Sequence, residues 1–308
     1  MPAERERLAQ IKSNLKRRAQ IYDLVREFFR GRGFLEVETP VRVPAIAPEI
    51  NITPVESDGW YLITSPELHM KRLLAAGYSQ IFQISRCFRQ GECGRLHNPE
   101  FSLLEWYRAG ANCMDMISDT EQLITTLLKK LRLGAIISYQ GQTIDLRLPW
   151  PRLSVKQAFF KSAGWNPVEN YDAKRFDHDM ATLVLPELEK GRPTVLIEYP
   201  AAVASLARLK ASDPRLAERA EVFIGGLELA NAYSELTDRE EQQKRFAAEI
   251  EQIEHQQGRK IKMPQSFIEA VGFMPECGGI ALGMERLVML LCDAGSIDEV
   301  TAFTADNI

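Results

Sequence analysis

Between Gln80 and Tyr107, two runs of alternating character flank one long polar connection, and no other stretch constrains the fold as tightly. In the upstream run Phe82, Ile84 and Phe88 fall on one side of an extended chain, with Gln83, Ser85 and Arg89 on the other. Downstream, Phe101, Leu103, Glu105 and Tyr107 share a side. Two such runs pair as antiparallel strands and collect their polar groups on one sheet surface. Hairpin connections usually take about two to five residues, and one of about twice that length generally serves a function. This connection carries Arg89, Glu92, Arg95 and His97 among Gly91 and Gly94, cations and free backbone suited to nucleotide phosphates.

The remaining chain supplies helices and more strands. Residues 14–30 place Leu15, Ala19, Tyr22, Val25 and Phe29 on one helical face, with Gly31 or Gly33 able to end the helix. A strand is expected at 34–39 and another at 60–64. Ser65 then caps a helix, Pro66 fits its first turn and Gly77 ends it, so that Glu67 stands at a helix start. A helix is expected at about 114–131, followed to about 192 by a less regular region with turns at Gly141, Pro149 and Pro151. Residues 194–199 form a buried strand, and 221–224 with 227–232 bracket a Gly225-Gly226 hairpin turn. Thr237 with Glu240 three places later marks a capping box. No linker divides the chain, which predicts a single domain over residues 1–308.

With 308 residues, 45% hydrophobic, the chain buries a sizeable core. Its net charge of -4 argues against extensive phosphate-backbone binding, and the basic cluster Lys12, Lys16, Arg17 and Arg18 reads as a solvated helix face. The cysteines Cys87, Cys93, Cys113, Cys277 and Cys292 are odd in number and form no CxxC pair, which points away from a disulfide framework or a zinc site. A charged N-terminus without an apolar stretch and the lack of any membrane-length apolar run predict a cytoplasmic protein with no membrane association.

The segment 88–101 resembles motif 2 of the class II aminoacyl-tRNA synthetases, and its surroundings are similar to the lysyl-tRNA synthetase branch. Gly33-Phe34-Leu35-Glu36-Val37-Glu38-Thr39-Pro40 resembles motif 1, and Gly279-Ile280-Ala281-Leu282-Gly283-Met284-Glu285-Arg286-Leu287 resembles motif 3. Over nearly its whole length the chain is similar to the elongation factor P lysine ligase family, the stand-alone paralogues of lysyl-tRNA synthetase. That resemblance implies an α+β fold, the class II catalytic core with an antiparallel sheet flanked by helices, and a homodimer joined through motif 1.

It also implies ATP and Mg²⁺ as cofactors and assigns roles. A carboxylate attacking the α-phosphate of ATP must overcome anion repulsion, and Arg89 is the cation expected there, since a planar guanidinium can bridge carboxylate and phosphate. By resemblance Phe101 stacks on adenine, Arg286 covers its other face and reaches the γ-phosphate, His97 meets the terminal phosphates and Asn98 the nucleotide. Gly91, Glu92 and Val222 belong to the same ATP-binding set, and Gly283, at a strand-to-helix turn, leaves backbone N–H groups for an anion. Glu221 and Glu228 match the family's metal-binding acids. Strict alternation, however, puts Glu228 on the face opposite Asn231, Tyr233 and Glu235 unless a bulge intervenes. The amino acid is expected to meet Ser65, Pro66, Glu67, Glu105, Tyr107, Glu228, Asn231, Tyr233, Glu235 and Ala281. Three of the acids, Glu67, Glu105 and Glu235, suit the two ammonium groups of a lysine.

Three departures from the lysyl-tRNA synthetase pattern shape the expected function. Only 33 residues precede Phe34, too few for an anticodon-binding barrel, which makes tRNA an unlikely partner. Ala230 and Ala281 stand where that pattern has glycine, as expected for a preference for (R)-β-lysine over α-lysine; ordinary packing is the other reading of both alanines. The motif-2 glutamate is replaced by Gly91, with Glu92 beside it. The reading is an ATP-dependent ligase that forms a β-lysyl-adenylate and transfers it to a lysine of elongation factor P. The alternatives are a truncated synthetase-like enzyme acting on tRNA or another acceptor, and a regulatory paralogue without catalysis.

Overall fold

A computed structural model describes residues 2–308, which fall into two compact units built from interleaved segments. Of the described residues, the first unit comprises 2–109, 237–275 and 281–308, the second 110–236 and 276–280. The chain passes from one unit to the other within or beside regular elements, which is why no linker-like stretch marks the divisions.

In the first unit the helix Lys12–Gly31 buries Ile21, Val25, Phe28 and Phe29. Phe29 stacks on Phe82 at 4.9 Å and meets Trp106 at 5.0 Å, so the helix is anchored to the strand pair by aromatic contact. Those strands, Gln80–Phe88 and Glu100–Ala109, pair antiparallel over their full length, with Gln83 opposite Glu105 and Cys87 opposite Phe101. The expected strand at 34–39 shrinks to Leu35–Glu36, parallel to Gln80–Phe88; pairing ends after Val37 donates its N–H to the Phe82 carbonyl, and Pro40 has no N–H with which to resume it. The expected strand at 60–64 is Trp60–Leu62, the centre of a small three-stranded sheet. The helix Glu67–Ala75 packs on Gln265–Val271, which in turn meets the long helix Arg239–Gln257. That long helix is capped by Asp238 rather than Thr237: the Asp238 carboxylate accepts from the N–H groups of Glu240 and Glu241. A carboxylate at this position also complements the helix dipole, which a threonine hydroxyl cannot match.

In the second unit Asn112 closes a capping box that starts the helix Cys113–Leu131, whose buried face lies against the strands Asp213–Ile224 and Leu227–Ser234. Those strands form an antiparallel hairpin, and Thr194–Pro200 pairs antiparallel with Asp213–Ile224 and parallel with Arg152–Ser154. Gly225 makes the hairpin turn at φ +60°, and a Cβ there would stand 2.7 Å from Ile144 Cδ1. The region to residue 192 is more regular than expected. It holds the hairpin Ile136–Tyr139 with Gln142–Asp145, and the helices Val155–Ala163 and Ala173–Asp179, which pack Val155, Phe159 and Phe176 into a core with Leu196, Tyr199 and Phe223. Among the described residues no helix is long and apolar enough to cross a membrane.

Candidate functional site

The first unit carries a buried acidic cluster on the sheet face that the alternation predicted. Glu105 is 1% exposed. One of its carboxylate oxygens accepts from the Ser65 hydroxyl at 2.6 Å and the other from the Tyr107 hydroxyl at 2.9 Å. Burial, reinforced by the neighbouring Glu67 carboxylate, pushes the Glu105 carboxyl up to about 8, against the pull of both hydroxyl donors and of Lys71. Ser65 also accepts the Glu67 N–H at 3.0 Å, so one hydroxyl starts the helix and orients the acid. Pro66 sits at the helix N-cap position.

Glu67 is already engaged. Lys71, one helical turn on and 1% exposed, donates to its Oε1 at 2.6 Å, leaving Oε2 as the oxygen a ligand could use. Sequence reasoning passed over Lys71, although the i, i+4 spacing from Glu67 was the available signal.

The loop between the paired strands folds back on itself. Gly91 adopts φ +78°, a conformation that glycine takes without strain, and the turn brings the Glu92 carboxylate to 3.7 Å from the Arg89 guanidinium. Arg89 lies over the Phe101 ring at 5.1 Å, and its buried Nε has no hydrogen-bond partner in the protein. Thus one face of Phe101 is covered by Arg89. His97 Nε2 lies 2.6 Å from an Arg286 Nη, and burial followed by the Arg286 charge lowers its basicity, favouring the neutral imidazole. Asn98 is occupied structurally, donating to the Glu100 carbonyl and accepting the Ala305 N–H. Arg286 follows Glu285, whose carboxylate takes the Ser102 N–H at 2.9 Å and the Arg18 guanidinium at 2.6 Å, fixing the start of the helix Met284–Cys292. Gly283 is the N-cap of that helix, and Ala281 is half-buried on the same side of its strand.

In the second unit a register shift between Val222 and Phe223 settles the parity of Glu228. Val222 pairs with Ala230 but Phe223 with Glu228, so Leu229 is the extra residue of a bulge. Beyond the bulge Glu228 returns to the face of Glu221, Asn231 and Tyr233, with Glu221 directly opposite Asn231. Val222 and Ala230 face the other way, and Ala230 is 3% exposed, so packing explains that alanine. Asn231 Oδ1 is buried and accepts no hydrogen bond from the protein. Glu235 is 2% exposed. Its N–H donates to the Cys277 carbonyl at 2.9 Å.

Arg219 and Tyr199, absent from the sequence reading, join this second cluster. Arg219 donates to Glu221 at 2.6 Å, and its side chain lies over the rings of Tyr199 at 4.7 Å and Tyr233 at 5.8 Å. Burial and the adjacent Glu221 hold the Tyr199 phenol well above its ordinary range, as a neutral O–H. Parity was the signal for Arg219, which is two residues from Glu221 on one strand. No group of three His, Cys, Asp or Glu among the described residues forms a self-sufficient metal cage. Two oxygen donors from one strand pair, Glu221 and Glu228, instead suit a hard cation that takes its remaining ligands from phosphates and water.

The chain is 39% identical to proteins named elongation factor P–(R)-β-lysine ligase from Salmonella paratyphi A (strain ATCC 9150 / SARB42), Salmonella schwarzengrund (strain CVM19633) and Salmonella agona (strain SL483), covering 96% of this chain and 95% of each relative. A family model described as tRNA synthetases class II (D, K and N) matches residues 5–307, and the chain belongs to that family.

Proposed function

We propose that the protein activates (R)-β-lysine, or lysine, with ATP and transfers it to a lysine side chain of elongation factor P. The observation that carries this reading is Glu105, a fully buried carboxyl held between Ser65 and Tyr107 beside a second acid, Glu67. An acid buried this deeply beside a second carboxylate is costly to ionise, and an incoming ammonium offsets that cost. The family resemblance assigns Asn231, Tyr233 and Glu235 to the amino acid as well.

In the first step the amino acid carboxylate attacks the α-phosphate of ATP, an acyl–phosphate bond forms and pyrophosphate leaves. Arg89 is assigned to the negative charge that accumulates at the α-phosphate, and Arg286 with His97 to the terminal phosphates. A neutral His97 offers a hydrogen bond there without adding charge. Glu221 and Glu228 are the residues that would hold Mg²⁺, which when bound neutralises phosphate charge. In the second step the ε-amino group of the acceptor lysine attacks the adenylate carbonyl, forming an amide and releasing AMP. No covalent intermediate with the enzyme is required.

A cytoplasmic setting fits the cysteines, none of which is paired in a disulfide among the described residues. Exposed Leu35, Val41, Trp60 and Tyr78 lie near the motif-1 segment and support a homodimer formed there. The test is ATP–pyrophosphate exchange with α-lysine and (R)-β-lysine, followed by transfer to elongation factor P or to tRNA. Exchange with (R)-β-lysine and transfer to the protein are expected; tRNA charging with elongation factor P left unmodified would favour the synthetase-like alternative.

A further inference from the structure

The arginine two residues before Glu221 is bound more elaborately than a strand ion pair requires. Arg219 uses one terminal nitrogen on Glu221 Oε1 at 2.6 Å and the other on the Val203 carbonyl at 2.8 Å. Its planar group also lies over Tyr199 on one strand and Tyr233 on another. Register places Arg219 opposite Tyr233 and Glu221 opposite Asn231, so these four share a sheet face. Four points of attachment leave the guanidinium little freedom, and through the short bond they leave the Glu221 carboxylate little as well.

We propose that Arg219 is a positioning residue that presents Glu221 to the divalent cation, an inference that rests on the metal role proposed for Glu221. One carboxylate oxygen, Oε1, is held by the guanidinium, which fixes the carboxylate on the sheet face that Glu221 shares with Glu228. Arginine is suited to this and lysine is not: only a planar cation can bond along its edge while its faces pack against two rings. Groups that orient a metal ligand from behind typically contribute about 10–100-fold to metal affinity. Removal of Arg219 is therefore expected to weaken the cation while leaving the nucleotide's own contacts in place.

The experiment measures Mn²⁺ binding by electron paramagnetic resonance to the full-length protein saturated with a non-hydrolysable ATP analogue, together with analogue binding without metal. Wild type, Arg219→Gln, Arg219→Lys and Glu221→Gln are compared. Arg219→Gln is expected to weaken Mn²⁺ by about 10–100-fold, with metal-free analogue binding unchanged; Arg219→Lys should lose about tenfold. A merely structural role would weaken both kinds of binding together, and that result overturns the proposal. A folded Arg219→Gln protein with wild-type Mn²⁺ affinity, beside a weakened Glu221→Gln, also overturns it and leaves the metal reading standing. Wild-type Mn²⁺ affinity in Glu221→Gln would overturn the metal reading and this inference with it. Should Arg219→Gln fail to fold, Arg219→Lys decides: a tenfold loss upholds the proposal, and wild-type affinity refutes it.

Discussion

Glu105→Gln should make the protein more stable at neutral pH while crippling its use of the amino acid. The native carboxyl titrates near 8 rather than at 4.5, chiefly because it is buried, whereas the unfolded chain ionises at the ordinary value. Between those limits the native state retains a proton that the unfolded state has lost, so stability falls as pH rises. The interval amounts to about 5 kcal/mol as an upper order of magnitude, fully expressed above pH 8 and absent below pH 4.5. Glutamine keeps the shape and can still accept from Tyr107 or Ser65, but it has no ionised form. Urea unfolding of both proteins from pH 5 to pH 8.5 is the assay: the wild-type midpoint should fall relative to the variant across this range. The ligand side has the opposite sign. An ammonium group needs the ionised carboxylate, so amino-acid affinity of the wild type should rise with pH toward 8, and that rise should vanish in the variant. Parallel stability profiles for the two proteins would show that Glu105 is already ionised at neutral pH and would refute the reasoning.

Ser65→Ala removes a donor that favours the charged carboxyl, so the pH at which amino-acid affinity levels off should move upward; pH-dependent isothermal titration reads the shift. Arg89→Ala should lower the rate of pyrophosphate exchange by at least about 10²–10³ with the fold intact, and near-normal exchange would discard its assignment to the α-phosphate. Gly225→Ala should destabilise the protein by about 1–3 kcal/mol in chemical denaturation, because the turn needs φ +60° and the added methyl meets Ile144 and Tyr139. Ala281→Gly should shift preference toward α-lysine by roughly 10–200-fold in relative specificity constants; an unchanged ratio would place the isomer preference elsewhere.

The paired strands at 80–109 were legible because alternation, a two-residue period and a polar loop all agree there, and the structure keeps Gln83, Ser85, Glu105 and Tyr107 on the predicted face. What could not be read is where partners come from. The i, i+4 spacing of Lys71 from Glu67 was legible, but that both turn inward rests on the packing of their helix against Gln265–Val271, nearly two hundred residues away in the chain. The helices between 155 and 179 were missed because each spans only about two turns and their apolar faces are completed by Leu196, Tyr199 and Phe223. Glu228 shows the limit most clearly. Periodicity counts residues, whereas a sheet face counts register, and a single extra residue at Leu229 exchanges the two faces for everything beyond it. That bulge lies between the strand's hairpin turn and Asn231, where it reverses the alternation for Glu228 without disturbing the Glu221–Asn231 pair. A deletion of Leu229 should therefore be silent for the face: the hairpin could re-form with regular pairing, Ala230 opposite Val222 and Glu228 opposite Phe223, and the Glu228 carboxylate would stay on the face of Glu221. Mn²⁺ affinity of the folded deletion variant should then stay close to wild type while Glu228→Gln loses it, and a loss in the deletion variant as large as in Glu228→Gln would show that face and register alone do not place Glu228.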